Sequence, residues 1–369
     1  VQIPLSSPDI NQCDKEAVMS VLNTSVLSIG RQLKEFESLI ADSVGVKHGI
    51  GVNSGTSGLH VIIRALGISD GDEVITTPFS FVSSANCILF ERAKPVFVDI
   101  DPITLNIDPA QIEEKITPKT KAILGVHVFG HPYDIDTIHD IARRHGLYVI
   151  EDACEAIGAK YHGRTVGAES DAAVFAFYPN KQITTGEGGM IVTNHEELAR
   201  LARSLRNQGR SDTNEWLSHE RLGYNYRLSE MNAALGVSQF SRLNKILSKR
   251  AEVANKYTKL FHGADQIITP QQAEDIEKSW FVYVIQLADG LDRNLVMEAL
   301  QADGIGCRGY FSPIHLQPFY REQFGFQEGD FPITESVSAR TIALPFFTSM
   351  SDDQVEYVVD RVCSITENM

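Results

Sequence analysis

Short, continuous apolar runs alternate with amphipathic stretches through most of the chain. Residues 9–23 and 32–43 read as two amphipathic helices. Asp9 can cap the first, and Leu33, Phe36, Leu39 and Ile40 form an apolar stripe on the second. A strand at 49–52 runs into small residues, after which Leu59, Ile62, Ile63 and Leu66 begin a helix. Strands follow at 74–76, 95–98, 122–128 and 147–150, separated by helices at 81–91, 108–115 and 134–145. Asp108-Pro109 opens the second of these helices. Strands at 172–177 and 190–193 bracket a polar, glycine-rich turn. Strands that are apolar throughout, with no in-out alternation, are buried on both faces. The pattern therefore predicts an α/β fold with a mostly parallel sheet between helices.

The later pattern is more mixed. Helices are expected at 195–205 and at 229–247, the latter with Ser229 as cap and Met231, Ala234 and Leu235 on one face. A strand at 280–285, a helix at 292–302 and a strand at 305–311 follow. A last helix at 351–364 opens on Ser351-Asp-Asp-Gln354, a capping box. This tail fits a smaller α+β domain, with the division expected between 1–245 and 246–369. Residues 207–222 read as a mobile polar loop near the site. No internal repeat or low-complexity tract is present.

Ligands of such sheets sit outside the carboxyl ends of the strands. That rule gives weight to a few residues. The run Phe175-Ala-Phe-Tyr-Pro-Asn-Lys181 delivers one lysine to a strand end. Desolvation there lowers an amine's pKa and makes it a nucleophile able to form a Schiff base with an aldehyde. Alternatively the lysine snorkels into a glycine turn. The strand at 147–150 ends in Glu151-Asp152-Ala-Cys-Glu155. The strand at 49–52 ends in Asn53-Ser-Gly55-Thr56, either a phosphate-binding helix start or an ordinary N-cap. The strand at 74–76 ends in Thr77-Pro-Phe79-Ser-Phe81. One sheet edge thus gathers an acid, a lysine, a phosphate-type turn and aromatic rings. A cofactor with a pyridine nitrogen, an aldehyde, a flat ring and a phosphate needs this set. Arg31, in the turn between the first two helices, could reach a pocket or be a solvated surface charge.

Composition narrows the partners. A formal charge of −15 over 369 residues leaves no basic stripe for nucleic acid. No apolar run approaches membrane-span length, and the sequence opens without a basic, then apolar, leader pattern. Cys13, Cys87, Cys154, Cys307 and Cys363 are scattered, which indicates neither a disulfide framework nor a metal site. The expected compartment is a reducing cytoplasm.

With these residues in hand the chain resembles the DegT/StrS-type family of pyridoxal phosphate (PLP)-dependent sugar-nucleotide aminotransferases, of fold type I. The resemblance runs through Asn53-Ser-Gly-Thr56, Ala93-Lys-Pro-Val-Phe-Val-Asp99, Ile150-Glu-Asp-Ala153, Tyr178-Pro-Asn-Lys181, Thr184-Thr-Gly-Glu-Gly-Gly189, Gly223-Tyr-Asn-Tyr-Arg-Leu-Ser-Glu230 and His315-Leu-Gln-Pro318. It implies that Lys181 carries PLP as a Schiff base and that Asp152 pairs with the pyridine nitrogen. Phe81 would stack on the ring, and Gly55 and Thr56 would hold the phosphate. Asn225 would reach the phosphate of a neighbouring subunit, giving a homodimer with shared sites. His315 would approach the sugar nucleotide, or equally be a loop histidine capping backbone. Two positions depart from many relatives. Ala176 stands where serine often binds phosphate, and Glu155 stands where glutamine or histidine is common near the phenolic oxygen. Some 4-aminosugar enzymes, perosamine-type ones included, resemble the chain at Glu155. The resemblance implies amino transfer from an amino acid, L-glutamate, to a nucleotide-linked 4-keto-6-deoxy sugar through a pyridoxamine phosphate form. A 3-keto substrate, dehydrating or aromatising PLP chemistry, and a non-catalytic sugar-nucleotide sensor are the alternatives. The retained Lys181 argues for transamination.

Overall fold

A computed structural model of the chain describes residues 2–211, 218–273 and 275–369. Seven strands form the central sheet: β1 (His48–Val52), β2 (Glu73–Thr76), β3 (Lys94–Phe97), β4 (Thr120–Val126), β5 (Tyr148–Asp152), β6 (Ala172–Ala176) and β7 (Gly189–Thr193). Their order is β1-β7-β6-β5-β4-β2-β3. The five strands from β6 to β3 pair in parallel, and only β7 runs against its neighbours.

Why the strands lack alternation is now visible. Ile75, Ile123, Val149, Ala173, Phe175 and Val192 pack into one core. Their neighbours Val74, Leu124, Ile150, Val174 and Ile191 pack into another on the opposite face. Both faces are covered, so adjacent positions in the middle of a strand are both apolar. A third core joins the helices Leu243–Leu260 and Asp352–Glu367 to the strands Tyr283–Leu287 and Thr341–Leu344. The start of the chain docks there too, with Ile3 exchanging hydrogen bonds with Gly304 and Gly306 (2.9 and 2.8 Å).

Several local expectations change. Asn11, not Asp9, caps the first helix, in a reciprocal box with Asp14. Asp9 instead accepts from Arg242 and Thr348 (2.9 and 2.8 Å), tying the two ends of the chain together. The stretch 229–247 is two helices, Glu230–Phe240 and Leu243–Leu260. Between them Arg242 leaves helical geometry while its guanidinium is held by Asp9 and Asp14. Residues 108–115 make two short 3₁₀ turns, because only Ile112 reaches the core. Residues 305–311 form only isolated bridges, at Ile305 and Arg308. The Ser229 cap and the Ser351–Gln354 capping box both form. The middle of the 207–222 loop, 212–217, lies outside the described residues. Among the described residues no helix is long and apolar enough to cross a membrane, and no His/Cys/Asp/Glu group could hold a metal.

Candidate active site

Four strand ends supply the site. β6 ends at Ala176, and the turn after it carries Lys181, whose N–H donates to the Tyr178 carbonyl (2.9 Å). The lysine side chain is 13% exposed. Its Nζ lies 3.4 Å from Glu155 Oε1 and 3.9 Å from the centroid of the Phe281 ring. An ammonium over an aromatic face is favoured electrostatically and is shielded from water.

Glu155 is fixed from two sides. Its Oε2 accepts the Phe129 N–H (2.9 Å), and its backbone carbonyl accepts from Gln182 Nε2 (2.6 Å). Phe129 sits in the left-handed region (φ 55°) and Gly130 follows at φ 78°. A Cβ at Gly130 would stand 1.7 Å from the Ser279 carbonyl oxygen, so only glycine allows the segment at Ser279 to close over the turn. Burial pushes the Glu155 carboxyl above its ordinary range, and Lys181 pulls part of that back.

Asp152 is the last residue of β5 and is buried. Its Oδ2 accepts from Ser84 Oγ (2.7 Å) and its Oδ1 from the Cys154 N–H (3.2 Å). Cys154 is pushed well up by burial and then by Asp152, while Lys181 acts in the opposite sense. The thiol thus lies within the field of both groups. A Cβ on Gly55 would lie 2.7 Å from Cys154 Sγ, which places the start of the helix Gly55–Ala65 against the end of β5.

That helix is capped by Ser54, whose Oγ accepts the Ser57 N–H (3.1 Å). The first-turn N–H groups of a helix have no acceptor within it and attract an anion. Thr56 Oγ1 shares a hydrogen bond with Ser83 Oγ (2.7 Å). Gly189, opening β7, lets that strand lie against Ser54, since a Cβ there would be 2.6 Å from the Ser54 carbonyl oxygen. Phe81, on the turn after β2, is 62% exposed.

The structure therefore gathers Gly55, Thr56, Asp152, Glu155 and Lys181 at one sheet edge, with Phe81 on the turn that leads to Ser83 and Ser84. Among the described residues, Arg31, Asn225 and His315 share no side-chain hydrogen bond or ion pair with this cluster, although the Asn225 carbonyl lies 3.5 Å from Asn53 Nδ2, just before Gly55. Arg31 is 90% exposed at the start of the helix Arg31–Val44, facing Glu35 across 4.0 Å. It borders an open basin of about 630 Å³ shared with Val26, Gly30 and Glu230. Asn225 is exposed, whereas its neighbours Tyr224 and Tyr226 turn inward to Glu91 and His60 (2.9 and 3.2 Å). His315 is fully buried. Its Nε2 bonds Glu335 (3.0 Å), which also accepts from the Gly329 and Phe331 N–H groups. In this arrangement His315 braces the 325–331 loop. Burial lowers its pKa, and Glu335 opposes that.

Sequence reasoning missed Phe281, Tyr310 and Ser84. The sequence pattern marks Phe281 only as part of a strand. Tyr310 is pushed up by burial and then by Glu155. Ser84 is a helix residue in the sequence pattern, and its partner Asp152 is 68 positions away.

The profile of the DegT/DnrJ/EryC1/StrS aminotransferase family matches residues 8–363. The chain belongs to this family. It is 39% identical to the spore coat polysaccharide biosynthesis protein SpsC of Bacillus subtilis, over 99% of this chain and 97% of that one. It is also 39% identical to the GDP-perosamine synthase of Caulobacter vibrioides, over 97% of this chain and 96% of that one. Among solved structures, Helicobacter pylori PseC, an aminotransferase involved in the biosynthesis of pseudoaminic acid, superposes with a TM-score of 0.96 at 30% identity, covering 100% of each chain. The protein is accordingly a PLP-dependent transaminase of fold type I. The residues present fit PLP. There is a shielded amine, a buried acid with an ordered carboxylate, and a glycine-opened helix start packed against Cys154 and Ala176.

Proposed function

We propose that this aminotransferase moves the amino group of L-glutamate to the keto carbon of a nucleotide-linked 4-keto-6-deoxy sugar, yielding 2-oxoglutarate and an amino sugar. The observation that carries the chemistry is the Lys181 amine, held between Glu155 and the Phe281 face beside the end of β5. Kinship with a GDP-perosamine synthase supports the sugar-nucleotide class. Glu155, shared with 4-aminosugar enzymes of the family, supports the keto position.

Lys181 would hold PLP covalently, Asp152 would pair with its ring nitrogen, Phe81 would cover one ring face, and Gly55 and Thr56 would receive the phosphate. When bound, PLP supplies an electron sink that makes the carbon bearing the amine acidic. Lys181 Nζ would be the base. It takes the proton from the donor's α-carbon, and in the second half it delivers a proton to the sugar carbon that acquires nitrogen. Glu155 Oε1 faces the Lys181 amine at 3.4 Å, and burial pushes its carboxyl above the ordinary range while Lys181 opposes that. Phe281 excludes water from one side of the amine. With Ala176 in place of serine, the phosphate leans on the helix start and Thr56.

Asn225 acts in trans in this reading. The alternation at 224–226 turns both tyrosines into their own protomer and leaves Asn225 outward. Met19, Leu22, Val26, Leu27, Ile29 and Phe81 are exposed apolar side chains that a second protomer of a homodimer would cover. The test is Lys181→Ala with L-glutamate and keto sugar. Turnover should disappear while the fold survives, and full turnover in that variant would end the proposal.

A further inference from the structure

We infer that Ser84 is a positioning residue that orients the Asp152 carboxylate and locks it to the turn bearing Phe81. The inference rests on the reading of Asp152 as the partner of the cofactor's ring nitrogen. Three buried groups form a chain: Ser80 Oγ lies 2.8 Å from Ser84 Oγ, and Ser84 Oγ lies 2.7 Å from Asp152 Oδ2. Ser84 is wholly buried, and Ser80 and Asp152 are 5% and 7% exposed.

The direction of the chain follows from the acceptors. A hydroxyl carries one proton. Ser84 has three oxygens within reach: Asp152 Oδ2, Ser80 Oγ and the Phe81 carbonyl at 3.2 Å. The carboxylate is the shortest contact and the one that can carry charge, and charge-assisted bonds are the stronger ones. Ser84 therefore donates to Asp152, and Ser80 donates to Ser84. The Cys154 N–H holds the other carboxylate oxygen at 3.2 Å. Two donors from different elements thus fix the plane of the carboxylate.

The same residue reaches the ring-covering side. The Ser84 N–H donates to the Phe81 carbonyl at 3.2 Å, closing the turn that presents Phe81. Its neighbour Ser83 bonds Thr56 at the phosphate-type helix start. One turn of polypeptide, 80–84, therefore sets the acid, the aromatic cover and the phosphate end relative to one another. A flat ligand gripped at all three places needs such a common reference, because a carboxylate free to rotate loses its aim.

The experiment compares wild type with Ser84→Ala, Ser84→Thr and Asp152→Asn, each loaded with ¹⁵N-labelled PLP. The readouts are the ring-nitrogen NMR shift, the PLP dissociation constant by equilibrium dialysis, and kcat separately from KM. Ser84→Ala should move the ring nitrogen toward its unprotonated position, weaken PLP about tenfold and lower kcat, leaving KM for the amino donor unchanged. Ser84→Thr, which keeps the hydroxyl, should restore the nitrogen shift. If Asp152→Asn shifts the ring nitrogen and Ser84→Ala does not, the inference about Ser84 is wrong and the reading of Asp152 stands. If Asp152→Asn leaves the nitrogen unmoved, the underlying reading of Asp152 fails. Should Ser84→Ala not fold, Ser80→Ala removes the upstream donor. An unchanged nitrogen shift there, with unchanged PLP affinity, would likewise overturn the chain.

Discussion

His127→Phe isolates a buried carboxylate next to the site. Glu151 is 1% exposed, one residue before Asp152 on β5. Its Oε2 accepts from His127 Nε2 (2.8 Å) and from the Gly167 N–H (2.9 Å), and its Oε1 accepts from Ser170 (2.5 Å). Burial alone would raise this carboxyl, but His127, Ser170 and Gly167 together outweigh it and hold it below its ordinary value. Phenylalanine keeps the 4.4 Å stacking on Tyr133 and removes the donor to Glu151, together with the Nδ1 that accepts the Tyr133 N–H at 3.3 Å. Breaking a buried pair costs about 3–5 kcal/mol. Two of the three contacts survive here, so the lower end, about 3 kcal/mol, is expected. With roughly 2 cal/mol/K of unfolding entropy per residue over this chain, that is a fall of about 4 °C in Tm. The sign with pH follows from the lowered carboxyl. Its contribution is present above the unfolded carboxylate value and is lost as pH falls through the folded one. The gap between wild type and His127→Phe in urea denaturation should therefore be full at pH 7 and shrink on acidification below about pH 4. Adding Glu151→Leu should recover part of the loss, since no charge is then left unpaired. A loss below about 1 kcal/mol at pH 7, or a gap equal at pH 7 and in acid, would refute the reasoning.

Glu155 predicts the opposite pH dependence. Its carboxyl is held above the ordinary range, so its stabilising share is full in acid and is lost as pH rises through the raised value. Cofactor-free Glu155→Gln should match wild type near pH 4 and exceed it at pH 8, by about 1.4 kcal/mol for each pH unit the carboxyl is displaced. Differential scanning calorimetry at the two pH values checks this, and a gap that narrows with rising pH contradicts it. Asn225→Ala and Lys181→Ala should each be inactive alone. If Asn225 acts across the dimer, refolding equal amounts together should rebuild about a quarter of the sites, since half the dimers are mixed and each holds one intact site. Mixtures as dead as their parents would place Asn225 in its own subunit's site.

The sheet was legible because its strands are buried on both faces. Val74 and Ile75 point into different cores, so nothing in that run had to be polar. The sheet edge was legible for a related reason. Asp152, Glu155 and Lys181 interrupt apolar runs just where parallel strands end, and polar groups in such places have ligands to meet. What escaped were pairings across distance. Ser84 with Asp152, Phe281 with Lys181, and His127 with Glu151 join residues 24 to 100 positions apart, and no local pattern announces them. Ends of elements escaped where neighbours compete. Asn11 and Asp9 can both cap a helix, and Arg242 decided between them by claiming Asp9. The same arginine splits a stretch whose apolar periodicity alone reads as one helix.

The proposed activity is tested most directly by nitrogen transfer. The PLP-loaded enzyme is given ¹⁵N-glutamate and a GDP-linked 4-keto-6-deoxy sugar, and the nucleotide sugar is analysed by mass spectrometry and NMR. The account predicts an amino sugar carrying ¹⁵N at C4, with one 2-oxoglutarate released for each nitrogen transferred. Release of 2-oxoglutarate without labelled sugar would confine the finding to the donor half. Neither product, from protein whose absorbance shows PLP bound at Lys181, would contradict it.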